Sequence, residues 1–147
     1  MSYKGRYTPI NPSKYKGDPT NIIYRSLWER KLMKVLDSNP NVLEWCSEEI
    51  IVPYKSPIDG KYHRYFPDFV IKQREKDGSI KTKMIEIKPL REVMGPTPIT
   101  EGTKPTRKYV NEVMKYAINS KKWESAKQYC ADRNWEFVIM TEKELGV

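Results

Sequence analysis

Two apolar runs, each broken by a single acid, constrain this chain more than any other feature. They are Tyr65-Phe66-Pro67-Asp68-Phe69-Val70-Ile71 and Met84-Ile85-Glu86-Ile87. Short runs of β-branched and aromatic residues read as strands when turn residues bound them. Here Asp77-Gly78 lies between the two runs, and Asp59-Gly60 separates Tyr62–Ile71 from an earlier run, Ile50–Tyr54. Asp-Gly favours the tight turns of antiparallel hairpins. The centre of the chain is therefore a β-rich region, which flanking helices would cover.

Helical periodicity supplies that cover. Leu27, Trp28, Leu32, Val35 and Leu36 fall on one face of a helix from about Ser26 to Asp37. Ser26 and Glu29 have capping-box spacing, and Asn39-Pro40 ends the helix. A short strand at Val42–Cys46 follows. Residues 89–106 hold four prolines and two glycines and read as a loop. Beyond it the pattern predicts a helix over Thr106–Ile118, with Val110, Val113, Met114 and Ala117 inward, and a second from Ser120 carrying Trp123, Ala126 and Cys130. Trp135–Met140 is a final strand, and Thr141–Leu145 starts a helical turn. The expected class is α/β (α+β), a mixed central sheet with flanking helices. Residues 21–147 form a single domain, and residues 1–20 form a basic, aromatic arm that either lies over it or frays.

Charge and cysteine content narrow the function classes. The formal net charge is +8, which favours a polyanionic partner. The surplus is clustered. From Lys72 to Arg91 seven basic residues face three acids, and from Lys104 to Lys122 six face one. The two cysteines, Cys46 and Cys130, and the single histidine, His63, match no zinc spacing. The lone histidine also argues against histidine-dependent nucleases. No apolar run approaches the ~20 residues of a membrane span.

The acids within the apolar runs carry the chemistry. Residues two apart in a strand share a face, so Glu86 and Lys88 project together about 6.6 Å apart. If the strands of Asp68 and Glu86 are neighbours, at ~4.8 Å spacing, the two carboxylates approach closely and repel unless a cation lies between them. Mg²⁺, or Mn²⁺ in its place, as one or two ions, suits a few carboxylate oxygens and leaves room for water and substrate phosphate. Asp68, Glu86 and Glu29 are the expected metal-binding set. Asp68, Glu86, Lys88 and Glu29 form the catalytic set, with Lys88 orienting the attacking water and offsetting charge on the phosphate. Plainer readings exist for each: Glu29 completing a capping box, Asp68 ending a turn, Glu86 as a salt-bridged strand acid, Lys88 as a strand-end cation. Their joint order favours the catalytic one.

Pro67-Asp68 followed by Glu86-Ile87-Lys88 resembles the signature of the PD-(D/E)XK nucleases, and the element order resembles their α-β-β-β-α-β core. Tyr24-Arg25-Ser26-Leu27-Trp28-Glu29, Arg64-Tyr65-Phe66-Pro67-Asp68 and Ile85-Glu86-Ile87-Lys88-Pro89 resemble the endonuclease subunit of heteromeric transposases. They are still more similar to the head completion nucleases of tailed bacteriophages, as are Tyr15-Lys16-Gly17-Asp18-Pro19 and Asn119-Ser120-Lys121-Lys122-Trp123.

The resemblance implies a metal-dependent endonuclease acting on double-stranded DNA during phage head completion in the host cytoplasm. It also implies docking on portal or neck proteins, retention in the virion, and either a monomer or a dimer. Arg25, Arg64, Lys72, Arg91, Lys104, Arg107 and Lys108 are the expected phosphate contacts. Lys115 and Asn111 are accessory candidates, and Tyr62, Tyr65 and Tyr109 are candidates for base stacking. Two other readings compete: a non-catalytic DNA-binding head assembly protein, and a structure-selective nuclease of the Holliday-junction-resolvase kind.

Overall fold

A computed structural model describes residues 3–147. Its centre is a four-stranded mixed sheet in the order β3-β6-β7-β8, from Val42–Ser47 (β3), Phe69–Arg74 (β6), Ile80–Ile87 (β7) and Glu136–Met140 (β8). The β3–β6 and β6–β7 pairs are antiparallel, and β7–β8 is parallel. A parallel pair needs a long crossover. Here it is made by α2 (Leu90–Met94) and α3 (Arg107–Asp132).

Helix α1 (Leu27–Ser38) covers one face of the sheet, burying Leu32, Met33 and Leu36 with Phe69, Ile71 and Ile85. The C-terminal half of α3 covers the other, where Trp123, Ala126 and Cys130 pack with Met84. A short helix α4 (Glu142–Leu145) closes the chain and adds Leu145 to the α1 side. The α-β-β-β-α-β order is thus α1-β3-β6-β7-α3-β8.

The expectations need three corrections beyond α2, a short helix inside residues 89–106 where a loop is expected. Tyr62–Ile71 is two strands, β5 (Tyr62–Tyr65) and β6, and Asp68 sits in a bend before β6. Pro67 cannot donate to a ladder, so the chain changes sheets there. Strand β5 pairs with β4 (Val52–Lys55) in a separate antiparallel hairpin, so the run near Ile50 lies outside the main sheet.

Second, α3 is one helix of 26 residues rather than two. Nothing between Arg107 and Asp132 is proline or glycine, and Asn119 and Trp123 bury one continuous stripe across the expected break. Third, Val110, Val113 and Met114 are exposed, not inward. None of the three joins either buried core.

Residues 1–20 lie over the domain where they are described. Strand β1 (Gly5–Tyr7) pairs with β2 (Ile22–Tyr24), and any side chain at Gly5 would collide with the Tyr24 ring. Tyr7 and Tyr15 are buried on the α1 side, Tyr15 edge-on to Trp45 at 4.8 Å. A 3-10 turn at Pro12–Lys14 joins them.

Candidate active site

The sheet's registers gather the acids. Ser47 pairs with Phe69, and Phe69 pairs with Ile85. One step further along each strand sets Glu48 opposite Asp68 and Asp68 opposite Glu86. The first of these is sealed by a hydrogen bond, the Glu48 amide donating to the Asp68 carbonyl at 3.2 Å. Three acids thus form a row across three neighbouring strand ends, spaced at ~4.8 Å by the ladder. Lys88 stands just past the end of β7, its amide donating to the Met140 carbonyl at 3.0 Å. Helix α1 approaches the same end from one face and α3 from the other.

Each carboxylate is held differently. Asp68 Oδ2 accepts from the Ile87 amide at 2.7 Å, which aims the carboxyl across β7. Glu29 Oε2 accepts from the Arg25 amide at 2.8 Å. Ser26 does cap α1, its hydroxyl accepting from the Glu29 amide at 3.1 Å. Glu29 therefore reaches one residue past the N-cap, so the reciprocal half of a capping box is not made. Glu48 is ion-paired with the Arg25 guanidinium. Glu86 is buried, and its Oε2 has no hydrogen-bond partner.

Burial dominates the electrostatics. It pushes the Asp68 carboxyl from 3.8 up to about 7, aided by the charges of Glu29 and Glu48 and opposed by the Ile87 amide and Lys88. It pushes Glu86 from 4.5 up to about 7, with Lys88 and Lys122 pulling it back down. Glu29 is raised for the same first reason. An orphaned buried carboxylate oxygen costs roughly 1–3 kcal/mol or more. Several acids crowded near neutrality are the condition a bound cation relieves.

The residues fit a divalent ion by this test. All the donors are hard oxygens, as Mg²⁺ or Mn²⁺ prefers. Among the described residues no three carboxylates stand close enough to cage an ion as they lie. Glu29 and Glu48 are both turned onto Arg25, the first on its amide and the second on its guanidinium.

Of the expected phosphate contacts, Arg25 belongs to the site through Glu48. Arg64 is exposed on β5, its guanidinium 5.9 Å from the Phe66 ring. Lys72 lies four residues along β6 from Asp68, ~13 Å by strand rise, and is ion-paired with Glu44 at 3.7 Å. It does not join the site. Arg91 and Lys108 line an open cleft of about 500 Å³ between α2 and α3, together with Lys115, Tyr116 and Asn119. Lys104, in the loop before α3, and Arg107, its first residue, are exposed, as is Asn111 on its first turns. Tyr62 is 75% exposed, whereas Tyr65 is buried and Tyr109 half-buried.

Sequence reasoning missed two residues. Glu48 was visible only as an acid after the Val42–Cys46 run, and its role depends on the β3–β6 register. Lys122 belongs to the Asn119–Trp123 segment whose likeness was noted without a role; the docking of α3 brings its charge to bear on Glu86.

Residues 39–142 match the family described as TnsA-like endonuclease N terminal. The chain is also 38% identical to the head completion nuclease of Enterobacteria phage T4, over 146 residues that span 99% of this chain and 95% of that protein.

Proposed function

The chain belongs to the TnsA-like endonuclease family, and from that premise we propose that Asp68, Glu86, Glu29 and Glu48 hold Mg²⁺ or Mn²⁺ for the hydrolysis of DNA phosphodiester bonds. It is a DNA endonuclease of phage head completion, as its likeness to the T4 protein along nearly the whole chain supports. One observation carries the metal reading. Glu86 is a buried acid on a paired strand, and one of its oxygens has no partner in the protein.

The ion would polarise the scissile phosphate and lower the pKa of bound water. The remaining work falls to the chain. Asp68, aimed by the Ile87 amide, keeps its carboxylate turned along the row of acids. Lys88 presents an ammonium at the strand end, where it offsets charge building on the phosphate and orients water for attack. The paired Arg25 and Glu48 brace the entrance, and Glu29 adds a carboxylate from α1. Arg91 from α2, Lys104 from the loop, and Arg107 and Lys108 from α3 would position backbone phosphates without reading sequence. Docking on portal or neck proteins, retention in the virion and a choice between monomer and dimer complete this reading. Co-sedimentation with purified portal rings and light scattering test them.

Supercoiled plasmid with Mg²⁺ or Mn²⁺ tests the chemistry. The wild type should nick or linearise it, and EDTA and Asp68→Ala should each abolish cutting. Cutting that persists in Asp68→Ala overturns the assignment. Tight, salt-sensitive binding with no cutting would favour an assembly protein.

A further inference from the structure

Lys122 is half-buried on α3. Its ammonium lies 5.7 Å from the Tyr54 ring centroid and 5.6 Å from that of Tyr65, so two aromatic faces flank it. Neighbouring lysines find acids: Lys115 meets Glu92 at 2.8 Å and Lys121 meets Glu124 at 3.3 Å. Lys122 has no carboxylate within 4 Å among the described residues. Burial pushes its amine below the ordinary value, Glu86 pulls it up, and Lys88 and Lys115 push it down. Sinking an ammonium without a contacting counter-ion costs free energy.

The stand-off from Glu86 is informative. A structural counter-ion would touch the carboxylate and satisfy it, yet Glu86 Oε2 stays without a partner. Two ammonium groups, Lys88 from the strand end and Lys122 from α3, therefore act on the same acid while leaving it open. Charge of that kind matches a phosphodiester seated over Glu86, whose non-bridging oxygens gain negative charge in the transition state. The tyrosine rings fix the ammonium beforehand, so it need not reorganise as that charge develops.

We propose that Lys122 is a second phosphate-binding ammonium of this active site, contacting the scissile strand from the α3 side opposite Lys88. The proposal rests on the nuclease reading above for its site but not for its test. Full-length wild type, Lys122→Met and Lys122→Arg are compared on a 20-base-pair duplex across a salt series in EDTA, and then in single-turnover cleavage at saturating DNA with Mg²⁺. Lys122→Met should flatten the slope of log affinity against log salt by about 0.9, the value for one lost phosphate contact. It should slow cleavage on the order of 10²-fold and melt no lower than wild type. Lys122→Arg should restore the salt slope. An unchanged slope in Lys122→Met overturns the proposal, whether cleavage falls or not. If the wild type fails to cut while the slope still changes, the phosphate contact stands and the nuclease reading falls.

Discussion

Two buried acids of this molecule are treated in opposite ways. Asp37, on α1, is 1% exposed and fully engaged. Its carboxylate accepts from the Tyr7 hydroxyl and the Ile10 amide at 2.7 Å each and from the Asn11 amide at 3.0 Å. Its carbonyl accepts from Asn11 and Lys14, both at 2.9 Å. Glu86, on β7, is 6% exposed and has an oxygen with no partner. Burial is common to both, so burial does not separate a structural acid from a chemical one. Hydrogen-bond accounting does. Asp37 ties the N-terminal segment to α1, whereas Glu86 keeps bonding capacity in reserve for something the chain does not supply.

That contrast can be broken by swapping the measurements. Glu86→Gln and Asp68→Asn should each lower plasmid cleavage on the order of 10³-fold, the scale for one preorganised charged group. Without divalent ions at pH 8, Glu86→Gln should melt at or above the wild-type temperature, because it removes a buried charge. Asp37→Ala should do the reverse. It leaves a hydroxyl and two amides unpaired and should cost about 3–4 kcal/mol, seen as a melting point lower by roughly 10 °C. Its cleavage rate, measured well below that temperature, should hold within a few-fold. Equal stability losses for Asp37→Ala and Glu86→Gln would erase the distinction.

The pH dependence of stability sharpens it. Asp68 and Glu86 are raised to about 7 in the folded chain, above their ordinary values of 3.8 and 4.5. Between about pH 4 and 7 the unfolded state releases those protons first, so stability without metal falls as pH rises through this window. Urea titrations from pH 4 to 8 should show that fall, and Asp68→Asn/Glu86→Gln should flatten it. The smallest effect is expected from Glu48→Gln, which weakens the Arg25 pair and one of the four proposed ligands. Cleavage should drop about tenfold, with little change in melting.

Much of this site was legible because its signals are local. Pro67-Asp68 and Glu86-x-Lys88 announce themselves by interrupting apolar runs, and strand alternation places Glu86 and Lys88 on one side. Glu48 was not legible, since only the β3–β6 register brings it level with Asp68. Lys122 was not, since its charge reaches Glu86 only once α3 docks. The apolar spacing of Val110, Val113 and Met114 correctly signalled helix, but periodicity says nothing of what covers a face, and none of the three reaches either buried core. The run Tyr62–Ile71 looked continuous because apolar content outweighed Pro67, whose missing N–H breaks the ladder.

Melting the wild type and Asp68→Asn/Glu86→Gln against rising Mg²⁺, with no DNA present, asks directly whether the row of acids is an ion's seat. Binding to the folded state alone stabilises it by RT ln(1 + [L]/Kd). The wild-type melting temperature should climb steadily with Mg²⁺ while the double variant stays flat. A wild type indifferent to Mg²⁺, or a double variant that climbs equally, would contradict the account.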